Sequence, residues 1–276
     1  MSRNNFIKHG LLLITFCVAF LLKTKAQNDS LFNFLQKIEY PISSFAVDNL
    51  GELYIINTDN QLKKYNEKGD SVGVFNQVTK YGKLTYVEAQ NPWKVILFYQ
   101  NFSTIVLLDK YLNVLGNINL RNKNIFRVKA VTTSYDNNIW LFDEQDNKLK
   151  KIDDAGNLLS ESVDFRLLFD SVPTPQKILD RDGFVYLYDS QKGIYVFDYY
   201  GSFKSKLSFL NWTNFSVIGK TIYGFDKKNL YKYTAPLPDI NKYKLPAALQ
   251  NNNFIKLSNH KIYILKDQQL QIYSLQ

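Results

Sequence analysis

Six times along this chain a short apolar and aromatic run is bracketed by polar turn formers. The runs are "GELYIIN" (Gly51–Asn57), "WKVILFY" (Trp93–Tyr99), "NNIWLFD" (Asn137–Asp143), "GFVYLYD" (Gly183–Asp189), "KTIYGFD" (Lys220–Asp226) and "HKIYILK" (His260–Lys266). Aligning Tyr54, Ile96, Trp140, Tyr186, Tyr223 and Tyr263 gives spacings of 42, 44, 46, 37 and 40 residues. A fixed period of this size marks a repeat architecture. In the first copy, "ISSFAVD" (Ile42–Asp48) precedes the run, and "LKKY" (Leu62–Tyr65) and "SVGVF" (Ser71–Phe75) follow it. "DNLG", "TDNQ" and "NEKGD" separate these segments, and such Asp/Asn/Gly clusters between β-branched and aromatic runs are hairpin signals. No long stretch carries a 3.6-residue apolar period, so helices are expected to be few. Four antiparallel strands per unit in six units predict an all-β, six-bladed β-propeller.

The last copy is short by one strand. It offers "FIKLSN", "KIYILK" and "LQIYSL" before the chain stops at Gln276. Ahead of the first copy lies one unassigned apolar segment, "LFNFLQKIEY" (Leu31–Tyr40). The ring is expected to close by this N-terminal segment joining the sixth blade as its outer strand, because an open join would leave unpaired backbone groups.

The turn after each first strand carries a resemblance. Asp48-Asn49-Leu50-Gly51-Glu52-Leu53-Tyr54 and Asp180-Arg181-Asp182-Gly183-Phe184-Val185-Tyr186 fit D-x-x-G-x-[LV]-Y, Tyr135–Trp140 fits more loosely, and the last two copies keep only Ile-Tyr. The units resemble NHL and TolB-type six-bladed propellers over almost the whole mature chain. That resemblance implies an architecture and leaves activity open, since the fold hosts enzymes, sensors and scaffolds.

At the start, Arg3 and Lys8 precede an apolar run from Leu11 to Leu22, followed by "KTKA". This is the order of a secretory signal, with cleavage expected after Ala26. The run is shorter than the ~20 residues needed to span a bilayer. Residues 27–276 are then a single domain with no membrane span. The signal removes the only Cys (Cys17), the only Met and one of two His; Lys+Arg falls from 34 to 30 against 25 acids, so the net charge drops from +9 to +5. The remaining basic residues are interspersed with acids, which argues against nucleic acid as a partner.

Candidate chemistry is sparse. His260, in "LSNHKIY", falls on a turn without acidic partners and reads as solvated. No nucleophile motif, phosphate loop or metal-ligand spacing stands out, so no catalytic, metal or cofactor residues are expected. Asp143, Glu144, Asp146, Asp189 and Asp226 end second strands and share one rim. They are either turn formers or ligands for calcium or an acid/base pair. Trp212, beside Asn211 in "LNWTNF", and Pro173 and Pro175 in "DSVPTPQ", fall on connections one blade apart. Together they are expected to form a solvent-facing contact patch, unless the Trp folds over the blade junction.

The composition and the "KAQ" end of the signal also resemble exported proteins of Bacteroidota, which implies O-glycosylation at Asp-Ser-apolar triplets: Ser30, Ser71 and Ser171. The chain ends within the propeller, without a sorting domain of type 9 secretion cargo, so an envelope component is expected. The function expected is a non-enzymatic protein-interaction module of an outer-membrane or periplasmic complex serving secretion, assembly or uptake, exposed to the periplasm or the cell surface. The alternatives are a carbohydrate-binding or carbohydrate-active propeller using the rim carboxylates and Trp212, and a sensor holding a small ligand in its channel.

Overall fold

A computed structural model describes residues 32–235, 239–258 and 260–275. Residues 1–31, with the expected signal segment and Ser30, lie outside the described residues. Six four-stranded antiparallel sheets form the blades. Blade 1 is β2 (Ile42–Val47), β3 (Leu53–Asn57), β4 (Leu62–Tyr65) and β5 (Ser71–Phe75). Blade 2 is β6 (Tyr86–Glu88), β7 (Val95–Tyr99), β8 (Thr104–Leu108) and β9 (Val114–Asn119). Blade 3 is β10 (Val128–Thr133), β11 (Ile139–Asp143), β12 (Lys148–Ile152) and β13 (Leu158–Glu161). Blade 4 is β14 (Lys177–Arg181), β15 (Phe184–Asp189), β16 (Gly193–Asp198) and β17 (Phe203–Leu207). Blade 5 is β18 (Asn214–Ile218), β19 (Thr221–Phe225), β20 (Asn229–Thr234) and β21 (Ile240–Lys244). Blade 6 is β22 (Phe254–Ser258), β23 (Lys261–Lys266) and β24 (Gln269–Leu275), and it is completed by β1 (Phe32–Ile38). One four-residue α-helix, Val78–Tyr81, lies between blades 1 and 2.

The expected closure is present. β1 pairs antiparallel with β24, with Phe32 opposite Leu275 and Ile38 opposite Leu270. Phe32 is buried with Ile255, Leu257 and Ile264, so the closing strand also contributes to a core.

The core is divided among the blade junctions. Six apolar clusters each join one blade to the next: 1 to 2, 2 to 3, 3 to 4, 4 to 5, 5 to 6 and 6 to 1. Each second strand sits between two such clusters, which buries both of its faces. β3, β7 and β11 are buried at every position. A strand covered on both faces reads as a continuous apolar run without alternation, and those runs are the repeats of the sequence.

The D-x-x-G turn has a visible cause in blade 1. Asp48 Oδ1 accepts the Leu50 and Glu52 N–H groups at 2.9 Å each, and the Tyr54 hydroxyl donates to Oδ2 at 3.2 Å. Gly51 and Gly183 take φ of +82° and +83°, where a β-carbon is strained. In blade 4 the same Asp is used differently: Asp180 Oδ2 accepts the Tyr135 N–H at 3.2 Å and the Trp140 Nε1–H at 3.0 Å, tying blade 4 to blade 3.

Candidate functional site

Antiparallel order gives the propeller two unlike faces. Turns between first and second strands and between third and fourth strands lie on one side, termed the lower face. Turns between second and third strands, and the connections between blades, lie on the other, the upper rim. The sequence directs attention to the upper rim.

On that rim Trp212 is 5% exposed, which corrects the expectation of a solvent-facing anchor. Its ring stacks on Phe209 at 4.7 Å and on Tyr231 at 5.5 Å between centroids. It belongs to the core cluster joining blades 4 and 5. The Tyr188 hydroxyl clamps its backbone, accepting the Trp212 N–H at 2.7 Å and donating to the Trp212 carbonyl at 3.0 Å. The space for the indole comes from Gly224: a β-carbon there would lie 2.3 Å from the ring. In the other five blades Ile55, Leu97, Leu141, Leu187 and Ile264 occupy that position. Blade 5 carries no side chain at this place, and the rim Trp folds inward to fill the volume. Asn211 stays exposed, with the Gln191 side-chain amide donating to its Oδ1 at 3.3 Å. Pro173 and Pro175 are buried as well, so they and Trp212 make no open patch.

The rim carboxylates are spread over blades 3, 4 and 5 and hold local structure. Asp143 is fully buried; its Oδ1 accepts the Gln145 N–H at 3.0 Å and its Oδ2 pairs with Lys150 at 2.8 Å. Asp146 pairs with the same Lys150, and Glu144 with Lys129 at 2.9 Å. Asp189 Oδ2 accepts the Thr174 N–H at 2.9 Å, fixing the connection between the two prolines. Asp226 accepts the Lys228 N–H at 2.7 Å and the Tyr231 hydroxyl at 2.8 Å, which supports the ring under Trp212. No group of three or more metal-ligating side chains converges among the described residues. His260 is exposed at a lower-face turn, and Ser71 and Ser171 are exposed.

Exposed apolar side chains occur on both sides: Phe102, Phe126 and Leu167 on the upper rim, and a group of Trp and Tyr rings on the lower face. Trp93, Tyr111, Tyr135 and Tyr200 are 59% to 70% exposed. They form an arc over blades 2, 3 and 4. Lys110 Nζ lies 4.4 Å above the Trp93 ring and 4.8 Å from that of Tyr111. The Asn91 amide donates to Asn137 Oδ1 at 2.8 Å, joining blades 2 and 3 beside Trp93. Tyr135 meets Tyr199 edge-on at 5.3 Å, across the junction of blades 3 and 4, and Tyr199 packs on Tyr200 at 4.3 Å. Lys151 sits 5.1 Å from the Tyr135 ring and pairs with Asp136 at 2.8 Å. These rings are held by neighbours. Sequence reasoning passed over them because the chain has 19 Tyr and 20 Phe, mostly structural; the available signal was an aromatic inside a lower-face turn.

Through the ring runs a channel of about 1030 Å³ that reaches from Trp212 and Thr213 at the rim to His260 and Asp182 at the lower mouth. Lys177, Arg181, Lys256 and Glu88 line it. Burial, with Lys256 and Arg181 nearby, pulls Lys177 down to about 7. Burial also lowers Lys256.

No protein-family model matches the sequence, and none of the curated proteins matches it. Among solved structures, a streptogramin B lyase superposes with a TM-score of 0.61 at 15% identity, over 84% of this chain and 78% of that one. A catalytically inactive virginiamycin B lyase from Staphylococcus aureus, bound to quinupristin, gives 0.60 at 14% identity over 89% and 98%. PorZ of Porphyromonas gingivalis, a surface component of the type-IX secretion system, gives 0.57 at 13% identity over 85% of this chain and 31% of that one. At these identities the likeness is one of fold. No helix among the described residues is long and apolar enough to cross a membrane.

Proposed function

We propose that this protein is a non-enzymatic interaction propeller of the cell envelope. It is exported by residues 1–26, loses them on export, and docks a partner protein on its lower face. The observation that carries the reading is the arc of Trp93, Tyr111, Tyr135 and Tyr200, exposed yet already positioned. Trp and Tyr are the residue types that anchor protein interfaces. Rings fixed by cation–π and edge contacts lose little freedom on binding, which lowers the entropic cost of association. The charged N-terminal segment with its short apolar run supports export. Fold neighbours include both a lyase and a secretion-system surface component, so the fold alone favours neither class. The upper-rim carboxylates support structure: each has an internal partner, and they are dispersed over three blades.

The test is co-purification from native membranes in mild detergent, at native expression level, of the wild-type chain and of the Trp93→Ala/Tyr200→Ala variant. The expected result is a stoichiometric partner with the wild type and its loss with the variant, at an unchanged melting temperature. A partner retained at full yield by the variant would overturn the lower-face assignment.

A further inference from the structure

We propose that the central channel is a binding site for a compact polyanion, a phosphate- or carboxylate-bearing small molecule held by Lys177, Arg181 and Lys256. This goes beyond a protein contact on the lower face and does not depend on it.

The geometry starts from the inner strands. Lys177 and Arg181 lie four residues apart on β14, on the same side of the strand because side chains alternate. Lys256 extends from β22 and Glu88 from β6 into the same cavity. None of the three cations joins an ion pair among the described residues. The acids of the channel are outnumbered, and of them Glu88 alone acts on all three basic groups. Glu88 accepts the Tyr86 hydroxyl at 2.8 Å and the Gln90 N–H at 2.9 Å. Asp48 is closed into its own turn by Leu50, Glu52 and Tyr54. Asp182 stands exposed at the lower mouth.

Donors remain free as well. Lys177 gives two of its three to Asn214 Oδ1 and the Phe215 carbonyl, both at 2.6 Å. Lys256 gives one to the Val47 carbonyl at 3.0 Å. Arg181 gives one, at 3.3 Å, to the Asp180 carbonyl. A guanidinium has five N–H donors and an ammonium three. Three clustered basic groups that share one nearby carboxylate, Glu88, inside a low-dielectric wall are costly, and an anion bound among them relieves that cost. Phe45, Tyr188 and Phe254 supply apolar wall around the charges, the composition of a small-molecule site.

The experiment is isothermal titration of the mature protein with sulfate, pyrophosphate and citrate, each against sodium chloride at equal ionic strength. Saturable binding of at least one polyanion is expected, weakened at least tenfold in Lys177→Gln and in Lys256→Gln and unchanged in Lys110→Gln on the lower face. Preference for pyrophosphate assigns a phosphate ligand; preference for citrate assigns a carboxylate. A second reading needs no variant. Sulfate takes up no proton at pH 8, whereas Lys177, facing Lys256, Arg181 and Glu88, binds one when an anion arrives. The binding heat of the wild type should therefore change with the ionisation enthalpy of the buffer. Binding no stronger than the chloride control, or binding indifferent to both lysine variants and to the buffer, would overturn the proposal.

Discussion

Trp212 on the upper rim and Trp93 on the lower face are one residue type put to opposite uses. On the rim, Trp212 sits in a connection between blades, yet it is buried over Gly224 and stacked on two rings. On the lower face, Trp93 and Tyr200 occupy turns and stay open to solvent. What separates them is the neighbour. Trp212 has a hole to fill, because blade 5 carries Gly where the other blades carry Leu or Ile. Trp93 lies under Lys110 and stays 64% exposed. An aromatic in a loop is thus neither core nor contact by its type; the volume beneath it decides.

The largest effect that sharpens this contrast is on stability. Trp212→Ala empties a filled junction and should destabilise by about 3–5 kcal/mol, visible as a large fall in melting temperature. Trp93→Ala should leave stability within about 0.5 kcal/mol. Equal effects from the two variants would erase the distinction.

A smaller effect is expected at the hole itself. Gly224→Ala drives a β-carbon into the indole and should cost about 1–3 kcal/mol, read by urea denaturation. Gly224→Leu combined with Trp212→Ala restores the pattern of the other blades. The pair should be less destabilised than the sum of the two single changes; strict additivity would show that the residues do not share the volume.

The remaining change is a slope with pH, measured in the channel that joins the two faces. Lys177 is held at about 7, against 10.5 for an ordinary lysine, by burial and by Lys256 and Arg181. The folded state therefore binds fewer protons than the unfolded one between these values, and the stability of the wild type rises with pH across that window. Lys177→Met removes the contribution. The gain of the variant over wild type should be greatest at pH 7 and below, and should shrink toward pH 10.5. Glu88, Lys256 and Arg181 remain in both proteins. A gap constant from pH 6 to 10 would contradict the lowered Lys177.

The architecture was legible because propeller packing writes itself into the second strands. Burial on both faces makes "YIIN", "VILFY" and "IWLFD" uniformly apolar, and the six junction clusters repeat that demand around the ring. The closing strand was legible as a missing one. The burial of Trp212 was hidden because its cause, Gly224, lies twelve residues further on, in the next blade's second strand. The signal existed as the only Gly at that place in the repeat. The channel cations were hidden for a related reason: Lys177 and Arg181 share one strand, but Lys256 and Glu88 reach them only when the ring closes. The lower-face arc needs three blades to assemble, and the one local sign of its rings is that they fall in turns rather than on strands.

Site-specific photo-cross-linking tests the central claim, that the lower face is the contact face, most directly. A photoreactive side chain would replace Tyr200 on the lower face in one strain and Leu210, which is 45% exposed on the upper-rim connection, in another. A discrete adduct is expected from position 200 in intact cells and none from position 210. An adduct from position 210 with none from position 200 would contradict it and return the contact surface to the upper rim.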